Sequence, residues 1–108
     1  MPTPKEIFED QIAGRIKEDT AKAKSINAVY KFVISGDNGG TWIVNCKDNP
    51  GVTAGDAPAD LTVNVAGSDL SDIIDGKLNP QMAFMSGKIK IQGNMALAMK
   101  LGDVLKAG

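Results

Sequence analysis

The sequence predicts an α+β domain in which helices cover one face of a sheet. Three observations predict it. The chain opens on an amphipathic helical pattern, its middle alternates apolar and polar residues between turn-forming clusters, and its last third returns to short capped helices around one further alternating segment. The order is therefore helix, three or four strands, two short helices, strand and helix. At 108 residues, with 43% of them hydrophobic, the chain fits a single domain (1–108) able to bury a core without disulfide or metal staples.

Each element has its own local reason. Thr3 is a candidate N-cap with Pro4 at the first helical position and Glu6 closing a capping box. Ile7, Phe8, Ile12 and Ile16 then lie on one face, which predicts a helix from Pro4 to Lys22. Residues 28–34 (AVYKFVI) are β-branched and aromatic, SGDNGG at 35–40 is turn chemistry, and TWIVNC at 41–46 resumes the strand, so the pair reads as a hairpin. On the second strand Trp42, Val44 and Cys46 share a face. A short strand over 52–54 follows the Asp48-Asn49-Pro50-Gly51 turn. Leu61, Val63 and Val65 alternate with Thr62 and Asn64, the pattern of a half-buried antiparallel strand. Ser68 is a candidate cap for a short helix ended by Gly76, and Asn79-Pro80 starts another ended at Gly87. Residues 88–92 (KIKIQ) read as an edge strand with lysines out and isoleucines in. Asn94 caps a last helix running from Met95 to Lys106.

Composition removes most familiar chemistry. With no histidine, Ser-His-Asp and Cys-His catalysis and an imidazole base are excluded, and Cys46 alone cannot build a Cys/His zinc site. One thiol closes no intramolecular disulfide, and in its strand Cys46 reads as a buried, inert residue. No catalytic residue, metal ligand or cofactor is expected. No apolar stretch reaches the ~18–20 residues of a membrane span, and the first residues lack the apolar core of a secretory signal, so a soluble intracellular domain is expected.

The formal net charge is −1, but it is distributed unevenly. Five aspartates and no base lie between Asp56 and Asp75; Lys77, Lys88, Lys90 and Lys100 and no acid lie between Gly76 and Gly102. The lysines form either a solvated surface or a cationic face for anionic lipid. Near-neutral total charge and few aromatics argue against nucleic acid as a partner. Asp69, Asp72 and Asp75 read as solvated acids biased to a helix start rather than as a cation site. The Ser86-Gly87-Lys88 run lacks the remaining positions of a phosphate loop, and 36–40 is a hairpin turn.

The last helix carries the strongest signal. Met95, Ala96, Leu97, Ala98, Met99, Leu101, Val104 and Leu105 occupy most of its circumference, so it must be covered on more than one side. Apart from Met1, the methionines all fall between Met82 and Met99, and methionine adapts to variable apolar shapes. Core filling and a ligand pocket both remain open from composition. Arg15 and Lys24, near the end of the first helix, are candidates for meeting an anionic headgroup, against the plainer reading of surface charge.

The segment GKLNPQMAFMSGKIKIQGNMALAMKL at 76–101 resembles the sterol carrier protein 2 family, and the resemblance extends upstream through Asn27–Phe32, Gly39–Trp42 and Ala59–Thr62. It is most similar to the domain appended to hydroxysteroid-dehydrogenase-like proteins. The resemblance implies a five-stranded, mainly antiparallel sheet covered by helices, with an apolar tunnel between them. It implies a non-catalytic, monomeric carrier of fatty acid, fatty acyl-CoA or sterol that makes transient membrane contact. On it, Phe32, Ile34, Trp42, Phe84, Met85, Met95, Met99 and Leu101 are expected to line the site, with Arg15 and Lys24 as headgroup contacts. The rival reading is an assembly module whose apolar last helix packs on a partner. Since 106–108 (KAG) is not a peroxisomal tripeptide, a cytoplasmic location is expected, or a peroxisomal one if such a signal lies beyond this sequence.

Overall fold

The computed structural model describes residues 3–106. The helical start is present but bends twice. Helix α1 (residues 4–18) begins with the expected capping box: the Glu6 amide donates to Thr3 Oγ1 at 3.2 Å and the Thr3 amide to Glu6 Oε1 at 3.2 Å. It widens into a π-helical stretch at Ile7–Ile12 and continues as α-helix over Ala13–Glu18. The wider turn brings Ile7, Phe8 and Ile12 together against the sheet, all fully buried. The predicted helix to Lys22 is interrupted at Asp19, whose backbone leaves the helical region. The Asp19 carboxylate accepts from the Lys22 amide at 3.1 Å and starts a separate α2, Thr20–Ser25. Local capping overrode continuous helix propensity here.

The sheet is built from β1 (Ala28–Ser35), β2 (Gly40–Cys46), β3 (Gly51–Ala54), β4 (Leu61–Ala66) and β5 (Ile89–Gly93), in the order β3-β2-β1-β4-β5. All neighbours are antiparallel except β1 and β4, so the sheet is mixed but mostly antiparallel. Register places Phe32 opposite Trp42 on one side and Val63 on the other, and Tyr30 opposite Val44 and Leu61. Those residues, with Ala28, Ile34, Cys46, Val65 and Ile89, form one buried face. The other face carries Lys31, Asn45, Thr62, Asn64 and Lys90 and is partly open. The link from β3 to β4 crosses that outer face, where Lys31 Nζ donates to Asp56 Oδ1 at 2.9 Å. The ammonium lowers the Asp56 pKa, through the hydrogen bond first and charge second.

Helices close the inner face. α3 (Gly67–Ile74) buries Leu70 and Ile73; it starts two residues earlier than Ser68 capping predicts, with Ala66 rather than Ser68 at the N-cap and no side-chain cap. α4 (Pro80–Met85) is capped by Asn79 as expected, its Oδ1 accepting from Gln81 N at 2.8 Å. The last helix, α5 (residues 95–106), is composite: a 3₁₀ stretch at Met95–Lys100, capped by Asn94, then α-helix over Leu101–Lys106. No helix among the described residues is long and apolar enough to cross a membrane.

Candidate functional site

The all-round apolar character of α5 resolves into two halves. Leu101, Val104 and Leu105 are buried in the core, while no residue of the 3₁₀ half is. Leu97 and Ala98 of that half pack partly against the core, and two hydrogen bonds, one to its backbone and one from its lysine, also hold it. Tyr30 Oη donates to the Leu97 carbonyl at 2.8 Å, and Lys100 Nζ donates to the Ile26 carbonyl at 3.2 Å. Burial, aided by the negative potential of Cys46, Asp103 and Asp60, raises the Tyr30 pKa from 10.0 to about 12, so the phenol stays a donor well into the alkaline range.

Opposite α5 stands α4. Ala83 is fully buried and seats the helix against the domain, and after Met85 the Lys88 amide returns to the Ala83 carbonyl at 2.8 Å to lead into β5. Phe84 and Met85 are thereby turned outward. Between α4, α5 and the end of β5 runs a groove of about 600 Å³. Phe84 and Met85 form one wall, Met95, Met99 and Leu101 the other, and Ile91 of β5 also lines it. Five of the eight sequence-predicted lining residues therefore meet in one place. Met85 is 84% exposed, Met99 82%, Met95 48% and Phe84 41%. With Met82, these are the large hydrophobic side chains the described fold leaves in solvent. Four of those five border one groove, which is a far more specific arrangement than scattered surface apolar residues.

Phe32, Ile34 and Trp42 do not border this groove. Phe32 and Trp42 lie under α1, where Phe8 stacks on Trp42 (centroids 5.1 Å apart, planes at 12°) and tilts against Phe32 at 5.1 Å. Trp42 Nε1 donates to Glu9 Oε2 at 2.9 Å, and Ile34 sits beside Gly67. The sequence could place these residues on the inner face but not say which helix would cover them. Nor do Arg15, half-buried on α1, and Lys24, exposed on α2, appear among the groove's lining residues. Lys77, Lys88 and Lys90 are exposed, whereas Lys100 is directed to the Ile26 carbonyl.

Sequence reasoning missed Ile91, Gln81 and Asp103 as groove residues. The alternation that turned the β5 isoleucines inward was the available signal for Ile91; nothing in the pattern singled out the other two. Asp103 is the charged residue in the groove wall, and it also borders a second cavity of about 140 Å³ between α2, the end of β2 and α5. Cys46 lies in that second cavity's wall, buried, and burial raises its thiol pKa from 9.0 to about 11, which leaves it protonated and unreactive at neutral pH. Among the described residues no cluster of three acids or thiols could hold a metal ion.

Comparison with known proteins agrees with this architecture. The model of the SCP-2 sterol transfer family matches residues 9–106. The chain is 47% identical over 97 residues to hydroxysteroid dehydrogenase-like protein 2 of Bos taurus, covering 87% of this chain and 23% of that protein. It is 40% identical over 100 residues to sterol carrier protein 2 of Oryctolagus cuniculus, covering 87% of this chain and 18% of the relative. The chain thus spans about a fifth of the length of these relatives. Among solved structures, palmitated SCP2L2 from Aedes aegypti superposes with a TM-score of 0.78 at 29% identity, covering 96% of this chain and 95% of its own. The sterol carrier protein domain 2 of Helicoverpa armigera gives 0.74 at 39% identity, covering 97% and 91%. A mixed five-stranded sheet under helices, matched along nearly its whole length in sequence and in backbone, places this chain in the SCP-2 sterol transfer family, a family of lipid-binding and lipid-transfer domains.

Proposed function

We propose that this domain carries a lipid, taking the apolar chain of a fatty acid, fatty acyl-CoA or sterol into the groove between α4, β5 and α5. One observation carries the reading: of the five large hydrophobic side chains exposed among the described residues, Phe84, Met85, Met95 and Met99 gather around one groove of about 600 Å³. That volume lies within the ~300–1,000 Å³ usual for small-molecule sites, and its apolar walls with few polar groups fit the same class. The palmitate on the Aedes aegypti relative supports an acyl chain as one occupant.

The mechanism is burial. Each methylene removed from water is worth ~0.8 kcal/mol, so ten contribute about 8 kcal/mol before ordering costs, and micromolar affinity needs no reactive group. The poverty of reactive groups suits this role: there is no histidine, and Cys46 is buried and protonated. Closure of the groove into a tunnel, with Phe32, Ile34 and Trp42 reached by a longer ligand, belongs to the same proposal, as do headgroup contacts from Arg15 or Lys24. Lys77, Lys88 and Lys90 would favour brief docking on anionic membranes.

Titration of a fluorescent long-chain fatty acid, a fluorescent sterol and an acyl-CoA competitor tests the reading. At least one is expected to bind saturably at micromolar concentration, and Met99→Asp, at an exposed position that leaves the core untouched, is expected to weaken it about tenfold or more. Absence of saturable binding for all three would remove the carrier role.

A further inference from the structure

We propose that Met85, Met95 and Met99 form an oxidation site through which peroxide lowers lipid affinity, so that the groove is tuned by the redox state of its own walls. The inference rests on the lipid-binding reading above and deepens it. All four methionines of the described chain are exposed, and three of them border the groove: Met85 at 84%, Met99 at 82% and Met95 at 48%. The fourth, Met82, is 66% exposed on α4 but does not border it.

Exposure decides which sulfur a peroxide reaches. The competing sulfur, the Cys46 thiol, is 1% exposed and kept protonated by burial, so it is shielded from attack. Oxidation is thus directed to thioethers, and three of the four exposed ones stand in the groove walls. In the reaction the thioether sulfur attacks one oxygen of hydrogen peroxide, an S–O bond forms, the O–O bond breaks and water leaves. Sulfur loses two electrons and the peroxide gains them. The product sulfoxide places a polar S=O group where an apolar chain must lie. No basic residue lines the groove among the described residues, so the new acceptor has no charged partner there and binding a chain against it leaves it desolvated. Methionine sulfoxide reductases reverse the change, one enzyme for each epimer.

The test measures the affinity of the intact protein for a fluorescent C16 fatty acid before and after hydrogen peroxide, with peptide mapping of each methionine. Sulfoxide is expected first at Met85 and Met99, with Cys46 unmodified, and affinity is expected to fall about tenfold and to recover with a mixture of both reductases. In Met82→Leu the ratio of affinities before and after peroxide should stay near ten. In Met85→Leu/Met95→Leu/Met99→Leu it should fall to near one, whatever the starting affinity; the exposed pair Met85→Leu/Met99→Leu, which disturbs little packing, should give most of that change. Complete sulfoxide at 85, 95 and 99 with affinity unchanged overturns the proposal and leaves lipid binding standing. Loss of the response in Met82→Leu alone also overturns it. Failure of the untreated protein to bind the probe overturns the lipid reading, and the proposal with it.

Discussion

Phe8 ties the first helix to two strands of the sheet. It is fully buried, stacks on Trp42 and tilts against Phe32, thereby joining α1 to β1 and β2. Phe8→Ala would leave a ring-sized cavity under the helix and is expected to cost about 3–5 kcal/mol, measured as a lower urea midpoint at unchanged slope. The sequence showed Phe8 on an apolar helical face but not that it would meet two other rings, since those come from strands 24 and more positions away. Tyr30 is the second residue with a measurable signature. Its pKa is raised to about 12 and that of Cys46 to about 11, so the native state holds both protons more tightly than the unfolded chain does. The stability they contribute is complete below about pH 9, the ordinary thiol value, and is lost as pH rises toward 12. Chemical denaturation at pH 8, 10 and 11.5 should show that decline, and Tyr30→Phe should remove the part above pH 10.

At the scale of elements, three helix caps were the most legible features, whereas the Ser68 cap and the helix end at Lys22 were not where residue type placed them. The Thr3/Glu6 capping box, the Asn79-Pro80 start and the Asn94 cap all stand where their residue types place them. What local pattern did not convey was geometry inside the helices: the π-helical stretch in α1, the break at Asp19 and the 3₁₀ half of α5. Each depends on what the element packs against, and residue spacing alone is compatible with an ordinary helix. The joint between β4 and β5 shows the same dependence. Gly93 has φ +117°, and a Cβ there would sit 2.6 Å from the Asp60 carbonyl oxygen, while the Asp60 carboxylate accepts from the Val29 amide at 2.9 Å. Gly93→Ala therefore meets both strain and a backbone clash. It is expected to destabilise by about 1–3 kcal/mol, and because β5 and α5 flank the groove, to weaken lipid binding as well; a thermal melt and the titration above check the two effects.

For the whole molecule, the proposed uptake of a lipid by the folded groove alone would link binding to stability. A fatty acid supplied at a hundred times its Kd should add about 2.7 kcal/mol, visible as a raised Tm that scales with the logarithm of ligand concentration. A Tm indifferent to lipid, together with a stable oligomer on gel filtration, would favour the assembly reading of α5 instead. The sequence by itself determined the α+β class, the alternation that makes one sheet face the core, three of the helix starts (after Thr3, Asn79 and Asn94) and the family, because these depend on residue type at short spacing and on a long motif at 76–101. It also marked the methionine-rich stretch as unusual without deciding between core and pocket. Only the tertiary structure put these methionines outside the core: α4 and α5, neighbours across β5, turn Phe84, Met85, Met95 and Met99 toward one groove, while Phe32 and Trp42, alike in apolarity, are covered by α1. Burial depends on which element arrives from a distant part of the chain, and no local pattern carries that information.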